Sequence, residues 1–324
     1  MKTHIIIYIL LALAIALPIQ AQRIESGYIA PSNLKNNHGS KPCKGAVQYI
    51  SGNYSMPLAI ERGQQIKNTY NSTTTSSGQV IIQEKSDTVT TARMWQVTLT
   101  GKYAAFDYEG TALQYLPDNI INAGAMVTHV CPIAHRWNLI ATAGITLNAI
   151  PSYIRLQSLA ITAGLIFQYT INKNFIVGIG AVGTTAYGQP VLIPAPIINW
   201  KRAGRYSIEL NMHGKPQLTI ATQINEKTRL TLTPFDSERF SAVTRVNCEH
   251  KVFSQNIFNA SLGVAYRFSK HWSLNGDAGY IYHHTVRVQE RSFKAFWEDL
   301  FSNDNRLKYS KGFTFSVGLR YHFR

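Results

Sequence analysis

The C-terminal end of the chain carries an unbroken alternation of period two, and few folds accommodate it. Phe313, Phe315, Val317, Leu319, Tyr321 and Phe323 are apolar, with Thr314, Ser316, Gly318, Arg320 and His322 between them. Successive side chains of a strand point to opposite faces, so this run is a strand with two unlike sides. Its length suits a tilted membrane strand of roughly 9–11 residues. The pattern recurs at Phe258–Phe268, Trp272–Tyr282, Leu139–Leu147, Leu159–Tyr169 and Trp95–Tyr103.

The other end reads differently. Met1-Lys2-Thr3-His4 precedes an apolar run from Ile5 to Ile19, then Pro18, Gln20 and Ala21. That three-part layout is a secretory signal peptide over residues 1–21, cleaved near Ala21. No second apolar run long enough for a membrane helix follows Gln22. A bilayer tolerates only helices and closed barrels, which leaves an exported soluble protein or a β-barrel.

A soluble sandwich also alternates, so three further features decide. The polar face is mostly Gly, Thr, Ser, Asn and Gln, as in a barrel lumen. Aromatic residues gather beside tight turns, among them Trp137, Tyr169, Trp200, Tyr206, Trp272 and Tyr321, as in an interfacial girdle. Finally, turn lengths are asymmetric. Short turns fall at 134–137, 172–174, 201–205, 225–227 and 269–271, and longer polar links at 56–78, 106–118 and 287–311. Membrane barrels keep short turns in the periplasm and long loops outside.

The expectation is an all-β protein, a single antiparallel transmembrane β-barrel of about 14 strands, with 12 as the fallback count, in the bacterial outer membrane. The strands would start near residues 45, 79, 92, 119, 138, 156, 175, 190, 205, 217, 227, 256, 272 and 312. Residues 22–44 read as an irregular N-terminal segment, 45–324 as the barrel, 71–78 as a mobile loop and 236–255 as an extended outer loop.

The C-terminal strand and turns such as Ser269-Lys270-His271-Trp272 resemble outer-membrane barrels of Bacteroidetes-type bacteria. Pro194 to Trp200, Tyr206 to Leu210 and Gln223 to Leu230 resemble one uncharacterised family of them, a domain of unknown function. The resemblance implies the barrel and brings no functional residues. It also implies lipid and the outer-membrane assembly machinery as partners, the latter through the last strand. Here Arg324 follows the usual terminal aromatic, Phe323, which departs from that pattern.

Chemistry is harder to find. No Gly-Xaa-Ser-Xaa-Gly elbow occurs, and alternation sends His283 and His284 to opposite faces, so at most one enters the lumen. An enzyme acting on envelope lipid or polymer would centre there, but the reading adopted is non-enzymatic, with no catalytic, cofactor or metal residues. The pairs Cys248/His250 and His129/Cys131 are weak metal signals. The spacing of Cys43, Cys131 and Cys248 does not say which pair, if any, forms a disulfide. Lys plus Arg total 32 against 17 Asp plus Glu, but the excess is dispersed, which argues against nucleic acid.

Two groups remain. Lys102, Glu209, Arg229, Arg245, Arg267, Asp277, Arg287 and Arg320 fall at polar positions of the pattern and would line the lumen, six basic against two acidic. A basic constriction favours anions, so a narrow pore for small or anionic solutes is the leading expectation. Phe293, Phe296, Trp297, Leu300 and Phe301 recur at helical spacing after Ser292, a possible cap. That stripe packs a short helix on the rim or, in an adhesive barrel, docks a partner. Oligomeric state is not legible.

Overall fold

The computed structural model describes residues 22–35, 43–74, 80–109, 116–172, 174–186, 188–202, 205–211, 216–246, 249–295 and 307–322. The signal segment 1–21 lies outside them. The strands are β1 (Gln22–Lys35), β2 (Cys43–Thr74), β3 (Val80–Glu109), β4 (Asn119–Ala134), β5 (Trp137–Ala149), β6 (Leu159–Asn172), β7 (Phe175–Thr184) and β8 (Val191–Pro194). They continue with β9 (Ile197–Arg202), β10 (Tyr206–Asn211), β11 (Gln217–Gln223), β12 (Thr228–Val246), β13 (Glu249–Arg267), β14 (Trp272–Glu290), β15 (Leu307–Tyr309) and β16 (Gly312–Tyr321).

Two of these staves are interrupted. β8 and β9 follow one register along β7, broken only at Ala195-Pro196, where Pro196 has no N–H to give the ladder. Likewise β15 and β16 follow one register along β1, and the Ser310 amide between them donates to the Asn33 carbonyl at 2.7 Å. Among the described residues the result is a closed 14-strand antiparallel barrel. Pairing of β1 with β16, from Gln22↔Tyr321 to Ile29↔Thr314, completes the circle.

The outer face is what hydrocarbon requires. Ile145, Ile161, Ile179, Leu262, Phe313 and Val317 point outward and are exposed. An exposed apolar band of this extent on a soluble protein would be an aggregation site. Aromatics gather at the end where β1 begins and β16 ends, the terminal end, with Trp137 on Tyr169 and Trp272 on Tyr321, each at 4.9 Å between centroids. The short turns expected at 134–137, 225–227 and 269–271 lie at this terminal end, while 173 and 203–204 of the other two fall outside the described residues. The tightest is His135-Arg136, where Arg136 takes the left-handed φ of 65° and the register shifts between Pro132 and Ala134.

Four expectations need correction. Residues 22–35 are not irregular: they form β1, paired on both sides. The strands expected at 79 and 92 are one strand, β3. The two errors cancel, so the count of 14 survives. The span 56–78 is not a long outer loop, because β2 and β3 stay paired to Thr74↔Val80 and the hairpin extends from the terminal end. Residues 71–74 are therefore strand; 75–79 lie outside the described residues.

The fourth correction matters most. Residues 236–255 are not a loop but the far halves of β12 and β13. β11 accompanies β12 only as far as Asp236. Beyond it β12 leans inward, and Val243 pairs in parallel with Ala149 of β5. A smaller ring is thereby closed within the barrel, made of β12, β13, β14, β15/β16, β1, β2, β3, β4 and β5. It encloses the main apolar core: Phe106, Ile120, Phe240, Phe253, Ile281 and Tyr309 are buried together. The Phe106 ring meets Phe253 and Phe240 nearly edge-on, at 5.5 and 5.9 Å. No stave from β6 to β11 contributes to this cluster among the described residues.

Candidate functional site

Below the apolar ring, towards the terminal end, the inner face turns polar and wet. Asn53 and Thr100 point inward yet are exposed. They border a cavity of about 400 Å³ lined also by Arg23, Glu25, Lys102, Asn122, Asn148 and Glu238. A smaller hollow of about 90 Å³ adjoins it, lined by Asp236, Asn259, Asp277 and Ser316 among others.

The charges in this region are matched. Lys102 forms an ion pair with Glu238, and its ammonium lies 4.9 Å above the Phe240 ring. Arg23 pairs with Glu25 at 2.7 Å, and the Tyr49 hydroxyl donates to Glu25 at 3.5 Å. The Tyr49 ring lies over Gly27, where a Cβ would come within 2.1 Å of it, so only glycine lets the ring lie flat there. Arg229 donates to Ser207 Oγ at 3.0 Å, and Ser316 Oγ to Asp277 at 3.5 Å. Arg320 sits within electrostatic range of Arg23 and Arg229, and also of Asp277 and Glu25.

Amides join the walls to the hairpin. Asn122 Nδ2 donates to Asn148 Oδ1 at 2.8 Å and to the Ser241 carbonyl at 2.7 Å. At the far end Tyr153 Oη lies 3.1 Å from His250 Nδ1. Besides the aromatic packing of Phe240 and Phe253, an ion pair, an amide, a tyrosine and a ladder position thus join the inturned hairpin to the wall among the described residues.

The expected lumen residues divide. Lys102 and Asp277 line the two cavities. Arg229 and Arg320 lie deeper towards the terminal end, and Glu209 shares the inner face of β10 with Ser207. Arg245 is exposed near the hairpin tip, Arg267 is exposed at the terminal end, and Arg287 is half-buried at the far end of β14. Sequence reasoning missed Arg23, Glu25, Asp236, Glu238 and Arg239, all cavity-lining. With them the lumen holds, among the described residues, five basic side chains (Arg23, Lys102, Arg229, Arg239, Arg320) and five acidic (Glu25, Glu209, Asp236, Glu238, Asp277). The expected excess of six to two is gone.

Other candidates fall elsewhere. His284 is buried, stacked on Tyr309 at 4.3 Å and hydrogen-bonded to Gln255 at 2.6 Å, whereas His283 packs on Phe258. His129 stacks on Trp95 at 4.1 Å, and Cys131 is a free thiol. Cys248 lies outside the described residues, and among those described no cluster of ligating side chains could hold a metal. Ser292 Oγ caps a helical turn over 293–295 by accepting from the Ala295 amide at 3.1 Å. Phe293 is exposed there; Phe296, Trp297, Leu300 and Phe301 lie outside the described residues. At the terminal end, past β16, burial first and then Arg267 and Arg320 hold the His322 imidazole below its ordinary range.

The family model for a domain of unknown function (DUF6268) matches residues 17–322. The chain belongs to that family. A search of curated proteins found no match. Among solved structures, an outer membrane channel from Pseudomonas putida F1 is similar over 95% of this chain and 97% of its own, at 9% identity and TM-score 0.40. The NanC porin is similar over 93% and 100%, at 7% identity and TM-score 0.35. The KdgM porin, solved in complex with disordered oligogalacturonate, is similar over 93% and 99%, at 6% identity and TM-score 0.34.

Proposed function

We propose that this member of the DUF6268 family is a non-enzymatic channel for small polar solutes in the outer membrane of a Gram-negative, Bacteroidetes-type cell. On this reading residues 1–21 direct export, and the aromatic-rich β16 presents the chain to the assembly machinery. The observation that carries the proposal is the wet, hydroxyl- and amide-lined lumen beneath the inturned β12–β13 hairpin. Solutes would pass between that hairpin and the inner faces of β6 to β11, where Thr162, Gln168, Ser207, Thr219 and Gln223 are half-buried and polar. The hairpin sets the width of the passage, since packed elements shift between discrete arrangements rather than deform continuously.

Locking the hairpin tests this. In a background with Cys43, Cys131 and Cys248 replaced by serine, Ala149→Cys with Val243→Cys places two thiols at a paired ladder position, within reach of a disulfide. In planar bilayers the oxidised barrel, locked in the arrangement that leaves the β6–β11 side open, should conduct as well as the reduced one. Absence of conductance in both states would remove the channel reading.

A further inference from the structure

We infer that the larger lumenal cavity is a weak binding site for an uncharged polyhydroxylated solute, a sugar or polyol of about disaccharide size; the inference rests on the channel reading and narrows it. The wall carries two neighbouring rows of inward positions across four adjacent staves. One row is Ser51, Lys102, Asn122 and Asn148, and the other is Asn53, Thr100, Gly124 and Thr146, each residue in register with the next. Neighbouring strands lie about 4.8 Å apart, so the rows form a flat grid of donors and acceptors on a rigid sheet. The grid is hollowed at Gly124, where a Cβ would stand 2.7 Å from Thr100 Oγ1.

Charge gives the solute class. An anion would need an uncompensated cation, but Lys102 is paired with Glu238 and Arg23 with Glu25, and Arg239, the third cation on this cavity, is engaged as well. A matched pair offers little net field to a charged solute and would have to be broken to bind one. Hydroxyls and amides remain, and these exchange hydrogen bonds with a neutral polyol at small net gain, about 1 kcal/mol each. Among the described residues Tyr49 is the single aromatic on the cavity, and its ring is committed to Gly27 and to Phe240 at 5.7 Å. Binding without stacking is weak, as a conducting site requires.

The test uses the full refolded barrel in detergent, with maltose and the anionic disaccharide acid lactobionate as probes, read by saturation-transfer NMR and calorimetry. Maltose should bind with a Kd on the order of millimolar and lactobionate about ten-fold more weakly. Thr100→Val, which keeps its shape, should weaken maltose about five-fold, a loss of the size of one hydrogen bond. Glu238→Gln should reverse the preference towards lactobionate by freeing Lys102. Equal or tighter binding of lactobionate to the unmodified protein, or no saturable maltose binding, overturns the inference. Maltose binding without bilayer conductance would uphold the site and remove the channel. Conductance without maltose binding would do the opposite.

Discussion

The two sides of the barrel obey one rule outside and two rules inside. Along both, the outer positions are large and apolar, as Ile161 and Ile179 are on β6 and β7 and as Leu262 and Val317 are on β13 and β16. The bilayer imposes that uniformity. Inside, the ring closed by Val243↔Ala149 is filled with Phe106, Phe240 and Phe253, while the β6–β11 side presents Thr162, Gln168, Ser207 and Thr219, half-buried. Ala160, Ile166, Val191, Ala195 and Ala221 are the buried apolar exceptions on that side among the described residues. The outer face therefore specifies a membrane barrel, and the inner face alone decides which part is filled and which stays polar and accessible.

One substitution on each side should separate the two most strongly. Phe240→Ala leaves a cavity in a fully buried core and should cost about 3–5 kcal/mol, read as a lower urea midpoint of the heat-modifiable band. Thr219→Val on the polar side should move that midpoint by no more than about 0.5 kcal/mol. Equal losses would erase the distinction. The next effect concerns the boundary between the sides. Gly27→Ala drives a methyl into the Tyr49 ring and should cost about 1–3 kcal/mol, with the near-ultraviolet tyrosine signal changed. The smallest effect lies at the terminal end. Because the folded state holds His322 below its ordinary value of 6.5, the unfolded chain takes up the proton first, so stability should fall as pH drops below that value. His322→Gln should flatten that decline in acid urea titrations.

Much of the exterior was legible because the bilayer leaves period two intact: the C-terminal strand as far as Tyr321, the turns at 134–137, 225–227 and 269–271, and the aromatic pairs Trp137–Tyr169 and Trp272–Tyr321 fell where the pattern put them. The pattern failed where both strand faces have unusual surroundings. In β1, Ser26 and Ala30 occupy outer positions, Arg23 and Glu25 inner ones, and Pro31 follows. In β3, Ser86 to Arg93 lack apolar alternation because they pair only with β2, beyond the barrel wall. In the hairpin the rule inverts, with Phe240 and Ala242 buried inside the ring. The site followed suit. Lys102 and Asp277 were found because their strands read clearly, whereas Arg23, Glu25, Asp236, Glu238 and Arg239 sat in segments that did not read as wall.

Thiol accessibility in the reconstituted barrel tests the division of the lumen most directly. Single cysteines in the cysteine-free background at Thr100, Thr162 and Thr219 should react rapidly with a charged, membrane-impermeant maleimide. Cysteines at Ala104 and Ala242, both fully buried, should stay protected until the barrel is unfolded. Comparable labelling at Thr100 and Ala104, four residues apart on one strand and facing the same interior, would contradict the account of a filled ring beside an open passage.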